Sequence, residues 1–188
     1  MRNGISALVL FACLSLGGCA AQIDELSPSI ETLQLLRQSE TPSMAIGSFT
    51  PASRDIGRQV AIRASTMHAP KDQNFADFLG ATFRAELGAA GKLDSASPLR
   101  LEGILVESRV SEDIARGEAS LGARITLSRS AKVMFKKAYR VETHWKSDFI
   151  GAIAIPEAFR QYNSLYALLV RQVLMDPEFI AAAKQAGP

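Results

Sequence analysis

The feature that most constrains this chain is a strict two-residue alternation running through residues 119–145. Ala119, Leu121, Ala123, Ile125 and Leu127 share one parity, and after Ser128-Arg129-Ser130-Ala131 the odd positions Val133, Phe135, Tyr139, Val141 and Trp145 resume it. A period of two is that of a strand, whose successive side chains point to opposite faces. The two runs read as a long antiparallel hairpin with one apolar face, and that face requires a cover.

Two segments of helical period can supply the cover. Phe75, Phe78, Leu79, Phe83 and Leu87 fall at spacings of three and four, which predicts a helix over residues 73–90 with Asp72 as its cap and Gly91 as its left-handed terminator. Phe159, Tyr162, Leu165, Tyr166, Leu168, Leu169 and Val173 form a second, broad stripe with Pro156 in the first turn, and Asp176-Pro177-Glu178 then restarts a short terminal helix. Residues 99–107 read as an inner strand, and residues 44–50 and 59–64 as two further strands able to pair antiparallel. Residues 51–57 and 111–117 are loops by composition. Ser27 before Pro28 predicts the cap of a short leading helix reaching Gln38. The expected fold is α+β, a two-layer sandwich with a mainly antiparallel sheet of about five strands and two main helices on one face.

The first eighteen residues are of another kind. Arg2 precedes an apolar run over residues 5–16, and Gly17-Gly18-Cys19 follows, the charged, apolar and small-residue order of a secretory signal. The run stops well short of the about 20 apolar residues that cross a bilayer. Cleavage before Cys19 divides the chain into a signal (1–18), an N-terminal stalk (19–42) and one domain (43–188). Such a stalk reaches up to about 70 Å when fully extended. Of the two cysteines, Cys13 lies in the signal, so Cys19 is the only one the mature chain keeps, which excludes a disulfide framework. A formal net charge of only +2 gives no footprint for a nucleic-acid partner.

No constellation for catalysis or metal binding stands out. The two histidines, His68 and His144, are far apart, one in a connection and the other on the outward parity of its strand. Glu112-Asp113 and Asp24-Glu25 are isolated acidic pairs in polar surroundings, and neither a metal-ligand spacing nor a phosphate loop is present. No resident cofactor is expected. Two surfaces remain as candidates. Lys132, Lys136 and Arg140 share the outward parity of the second hairpin strand, which is either an anion-binding face or an ordinary solvated one. The nearly uncharged stretch around Phe149, Ile150 and Ile153 is either a buried crossing, the simpler reading, or an exposed apolar surface for a partner or an acyl chain.

The order Leu16-Gly17-Gly18-Cys19 resembles the bacterial lipobox, with Leu16, Gly17 and Gly18 as the recognition residues of the signal peptidase. The resemblance implies a covalent lipid on Cys19; anchoring of this kind holds stably when two or more acyl chains are buried. With the helix over Phe75 to Leu87, the hairpin over Glu118 to Trp145 and Ala154-Ile155-Pro156-Glu157-Ala158, the chain resembles small envelope lipoproteins of Gram-negative bacteria, in particular YajG-like lipoproteins and auxiliary lipoproteins of ABC-type transport systems. Ala20 rather than aspartate after the lipidated cysteine implies passage to the periplasmic face of the outer membrane, or retention on the outer face of the plasma membrane where no outer membrane exists. The expected role is a non-enzymatic, lipid-anchored adaptor for an envelope transport or assembly protein. Lipid or glycolipid carriage is the alternative, and an envelope hydrolase ranks below both.

Anchoring is directly testable. Cys19→Ala is expected to leave an unprocessed, unacylated precursor, read by mass spectrometry and membrane fractionation; a mature acylated product from this variant would overturn the anchor.

Overall fold

A computed structural model describes residues 28–69 and 73–186, so Leu16 to Cys19, Ser27 and Asp72 lie outside the described residues. Along the chain come α1 (Ile30–Gln38), β1 (Ala45–Pro51), α2 (Arg54–Arg58), β2 (Gln59–Ile62), β3 (Ser65–His68), α3 (Phe75–Ala89), β4 (Leu99–Glu112), β5 (Arg116–Arg129), β6 (Lys132–Lys146), α4 (Gly151–Leu174) and α5 (Pro177–Gln185).

The long alternating runs become β5 and β6, paired antiparallel from Arg116↔Lys146 to Arg129↔Lys132. Ser130 and Ala131 close the hairpin with φ of 47° and 71°, the left-handed pair whose twist matches the flanking strands. Leu121, Ala123, Ile125 and Leu127 have no solvent exposure. One predicted member of the stripe leaves it. The register shifts between Leu127 and Ser128, so Val133 turns to solvent and is 56% exposed.

The main sheet has four strands in the order β1-β4-β5-β6, and β2 and β3 form a separate two-stranded ribbon. The α+β sandwich is thus the observed fold, with α3 and α4 on one face and α1 and α5 packed beside them. Residues 44–50 and 59–64 do not pair with each other as expected. Instead β1 runs parallel to β4, with Phe49 opposite Gly103. A Cβ at Gly103 would fall 2.4 Å from the Phe49 ring and one at Gly80 would fall 3.0 Å from it, so two glycines make the slot in which this ring sits. That slot joins β1, α3 and β4 into a parallel crossover. β2 folds back on β3 through a turn in which Arg63 has φ of 51°.

Caps explain the helix boundaries. Asn74, not Asp72, caps α3, in a reciprocal box with Asp77. Gly91 follows with φ of 72°, as predicted. Ser29, not Ser27, caps α1 through the Thr32 amide, and the α1 residues Thr32 and Leu36 are buried. The segment read as stalk therefore includes a helix seated on the domain, fastened by Arg171–Glu31 and Lys184–Glu40 ion pairs. Asp176 caps α5 as expected, and also accepts from Lys137 and from the Tyr139 hydroxyl.

Where the chain joins the domain, the Ser29 amide donates to Glu86 Oε1 at 2.9 Å, while Glu86 Oε2 is buried with no partner among the described residues. Burial raises the Glu86 pKa more than the Ser29 bond lowers it. A carboxyl raised on folding binds its proton more tightly in the folded state, so stability falls as pH rises from the unfolded value near 4.5 through the folded one. Glu86→Gln keeps an acceptor for Ser29 and removes the buried charge. It should raise Tm at pH 7 by about 2–4 °C and flatten this part of the pH–stability curve, as followed by thermal circular dichroism.

Candidate functional site

The connection from β6 to α4 is where the described surface departs most from a plain solvated one. Asp148 Oδ1 accepts from the Ile150 amide at 2.7 Å, and Ile150 becomes the N-cap of α4. The helix begins at Gly151, so Pro156 lies inside it rather than in its first turn. From that start the helical period turns Ala154, Ala158 and Tyr162 inward and leaves the preceding apolar residues outside. Phe149 is 76% exposed, and Ile150 and Ile153 are each 55% exposed. The expectation of a buried crossing is therefore corrected: the small alanines of this turn face the sheet, and the large side chains form an apolar knuckle.

The knuckle is held from behind. Arg63, at the tip of the β2–β3 ribbon, donates to the Asp148 carbonyl at 2.6 Å, Ser147 Oγ at 2.7 Å, the Asp113 carbonyl at 3.1 Å and the Phe149 carbonyl at 3.3 Å. Its Nε lies 3.3 Å from Glu112 Oε2, in a side chain with no solvent exposure, and Ser147 Oγ donates to Glu112 Oε1 at 2.8 Å. One guanidinium thus ties together the ribbon, the end of β4 and the loop that presents Phe149. Such a planar fork of donors suits this multiple role. Nothing in the sequence marks Arg63, because its partners lie 49 to 86 positions away and four of its five acceptors on the loop and strand end are carbonyl or hydroxyl oxygens. Beside the knuckle lies an open cleft of about 480 Å³ bordered by Lys146, Asp148, Ile153, Glu157 and Arg160.

The basic surface is a separate place. Lys136 and Arg140 point away from the helices on β6, whereas the register shift pairs Lys132 with Arg129 and turns it to the helix-side parity, so the expected common face loses Lys132; all three are exposed. Arg140, however, is engaged by Glu107 and Glu142, an arrangement that lowers the Glu107 carboxyl and raises the guanidinium. β6 has 15 residues, so Lys132 and Phe149 lie at opposite ends of a strand roughly 45–50 Å long at about 3.3 Å per residue. The two candidate surfaces that the sequence offered are not brought together.

The histidines also stay apart from the knuckle's chemistry. His68 is exposed at the end of β3, and His144 sits on the open sheet face with Nε2 3.8 Å from Glu118. Among the described residues no three His, Cys, Asp or Glu side chains converge as metal ligands, and no helix is long and apolar enough to cross a membrane.

No family model and no curated sequence matches the chain. Among solved structures, protein XCC0632 from Xanthomonas campestris, described with the family DUF330, superposes with a TM-score of 0.55 at 14% identity, covering 88% of this chain and 96% of that one. A minor lipoprotein from Acinetobacter baumannii gives 0.40 at 11% identity over 69% of this chain and 90% of that one. The protein CT253 from Chlamydia trachomatis gives 0.41 at 10% identity over 72% and 98%. The similarity to XCC0632 extends over most of both chains and is a similarity of fold.

Proposed function

We propose that this chain is a lipid-anchored, non-enzymatic accessory protein of the bacterial envelope that docks a protein of a transport or assembly system through the knuckle of Phe149, Ile150 and Ile153. The observation that carries the reading is a contiguous apolar projection fixed by a buried ion pair. Exposed large apolar side chains cost solubility when they serve nothing, and apolar anchors on a rigid support are what a protein interface uses.

The direction of the knuckle supports a protein rather than the anchoring bilayer. The described chain begins at Pro28, and Glu31 pairs with Arg171 near the end of α4. From Ile150 to Arg171 the helix covers roughly 30 Å at about 1.5 Å per residue. The knuckle therefore sits at the end of α4 remote from the point where the anchored segment enters. With Cys19 acylated and Ala20 next, the anchor would be at the periplasmic face of the outer membrane, leaving the knuckle to face inward across the periplasm.

Two experiments test this reading. A photoreactive residue at position 149 in cells is expected to capture one discrete envelope protein, and the same residue at exposed Ala96 is not. That protein should bind the purified chain and lose about thirtyfold or more in affinity on the triple change Phe149→Ser, Ile150→Ser, Ile153→Ser, since anchor residues carry about 2 kcal/mol or more. Capture of lipid alone, or unchanged affinity in the triple variant, would overturn the docking role.

The second concerns the support. Arg63→Met strips the partner from a carboxylate that has no exposed surface, and should cost about 3–5 kcal/mol in chemical denaturation. Adding Glu112→Gln should restore part of that loss. A cost below about 1 kcal/mol would show that Arg63 is not the knuckle's support.

A further inference from the structure

A second surface lies along β6 and reaches the cleft beside the knuckle, but it is built from other residues and does not depend on the reading given to the knuckle. Among the described strands β6 has a neighbour only on its β5 side, so the outward N–H and C=O groups of a 15-residue strand have no strand partner. Two clefts run along this edge. One, of about 440 Å³, touches four consecutive residues, Lys137 to Arg140, and is walled by Gln172 and Asp176. The next, of about 380 Å³, touches Arg140, Val141 and Glu142 and is walled by Leu168, Gln172 and Met175. Consecutive strand residues alternate between faces, so a single space reaches three or four of them only along the strand's open edge. The same flank continues past Thr143, whose hydroxyl donates to Gln161 Oε1 at 3.0 Å, to the cleft beside Lys146.

The edge is defended unevenly. Its first part carries the register shift and Lys132, Lys136 and Lys137, devices that discourage indiscriminate pairing. Its second part, Ala138 to Trp145, holds Tyr139, Val141, Thr143 and Trp145 in regular register with β5. On the helix side the neighbouring wall offers Leu168, 45% exposed, and the partly buried Met175. On the open side the strand presents Lys136, Arg140 and Lys146 against the single carboxylate Glu142, and Lys136 and Lys146 have no ionic partner among the described residues.

We propose that the β6 edge and the adjacent α4 flank form a groove that takes an extended peptide of a partner protein as a fifth strand, one whose side chains alternate apolar toward Leu168 and Met175 and acidic toward Lys136 and Lys146. Main-chain pairing supplies the affinity, and the alternation supplies the selection. The uncompensated lysines repel a basic strand and admit an acidic one. A side chain turned inward displaces water from the clefts beside Val141.

The test uses the full chain in zwitterionic nanodiscs and a fluorescein-labelled octapeptide of alternating valine and glutamate, with empty discs as the blank. Saturable binding by anisotropy is expected, together with slowed amide exchange in residues 138–145. A peptide alternating valine and lysine should bind at least about fivefold more weakly, and Leu168→Asp should weaken the acidic peptide about tenfold. Leu168 is on the surface, so an unchanged Tm will show that the variant folds; Lys136→Glu with Lys146→Glu, which leaves the groove wall intact, should reverse the preference between the two peptides. Equal binding of both peptides, binding to empty discs, or protection elsewhere in the chain would overturn the groove. So would a second copy occupying the edge, seen as a dimer by sedimentation with residues 138–145 already protected before peptide is added.

Discussion

The whole architecture depends on the one-sided burial of β5. Its residues Leu121, Ile125 and Leu127 are withdrawn completely from water, and each such side chain contributes about 1.5–3 kcal/mol relative to exposure. That is comparable with a large part of the net stability of a domain, so the face cannot be left open. α3 and α4 are the two segments with stripes wide enough to cover it, and Tyr162 and Tyr166 meet Phe75 and Phe78 edge-on where the two helices touch. The hydroxyls of Tyr162 and Tyr166 would be costly there, and are satisfied by each other and by Ser108 at 2.8 and 2.7 Å. Once this layer is set, the other elements have only edges and ends left to occupy.

The β2–β3 ribbon takes one of those ends, and Arg63 converts a peripheral hairpin into a brace. Its charge is not a surface ornament, because the Glu112 carboxylate it faces has no contact with water. A paired buried charge specifies position more than it adds stability. Here the position specified is that of residues 147–150, and through them the first turn of α4. The exposed apolar side chains and their rigid backing are thus parts of one construction, which distinguishes this knuckle from an isolated surface leucine.

Long elements were legible in the sequence, and short or tertiary-dependent ones were not. β5, β6, α3 and α5 appear close to their predicted bounds because each carries its own periodicity or cap. The sequence places His68 in a connection, whereas it ends β3, a strand of four residues, and α2 falls within the expected loop because five residues are too few to display a period. The parallel placement of β1 turned on Phe49 fitting over Gly103 and against Gly80, residues 54 and 31 positions away, and no local pattern reports such a fit. At the site, the sequence named Phe149, Ile150 and Ile153 but favoured burial for them. A helix starting at Gly151 instead of near Pro156 rotates these residues to the outside, and that start depends on Asp148 and on Arg63.

By itself the sequence determined that residues 119–145 form a one-sided hairpin, that two amphipathic helices cover it, and that a charged, apolar and small-residue order precedes Cys19. These follow from periodicity and from short local motifs, which act over a few residues. Only the tertiary structure decided which strand neighbours β4, which end of the sheet receives the ribbon, whether Arg140 is available or engaged, and which apolar residues face water. Those outcomes depend on shape and charge meeting across dozens of residues, where burial and pairing energies are set by neighbours that the local sequence does not name.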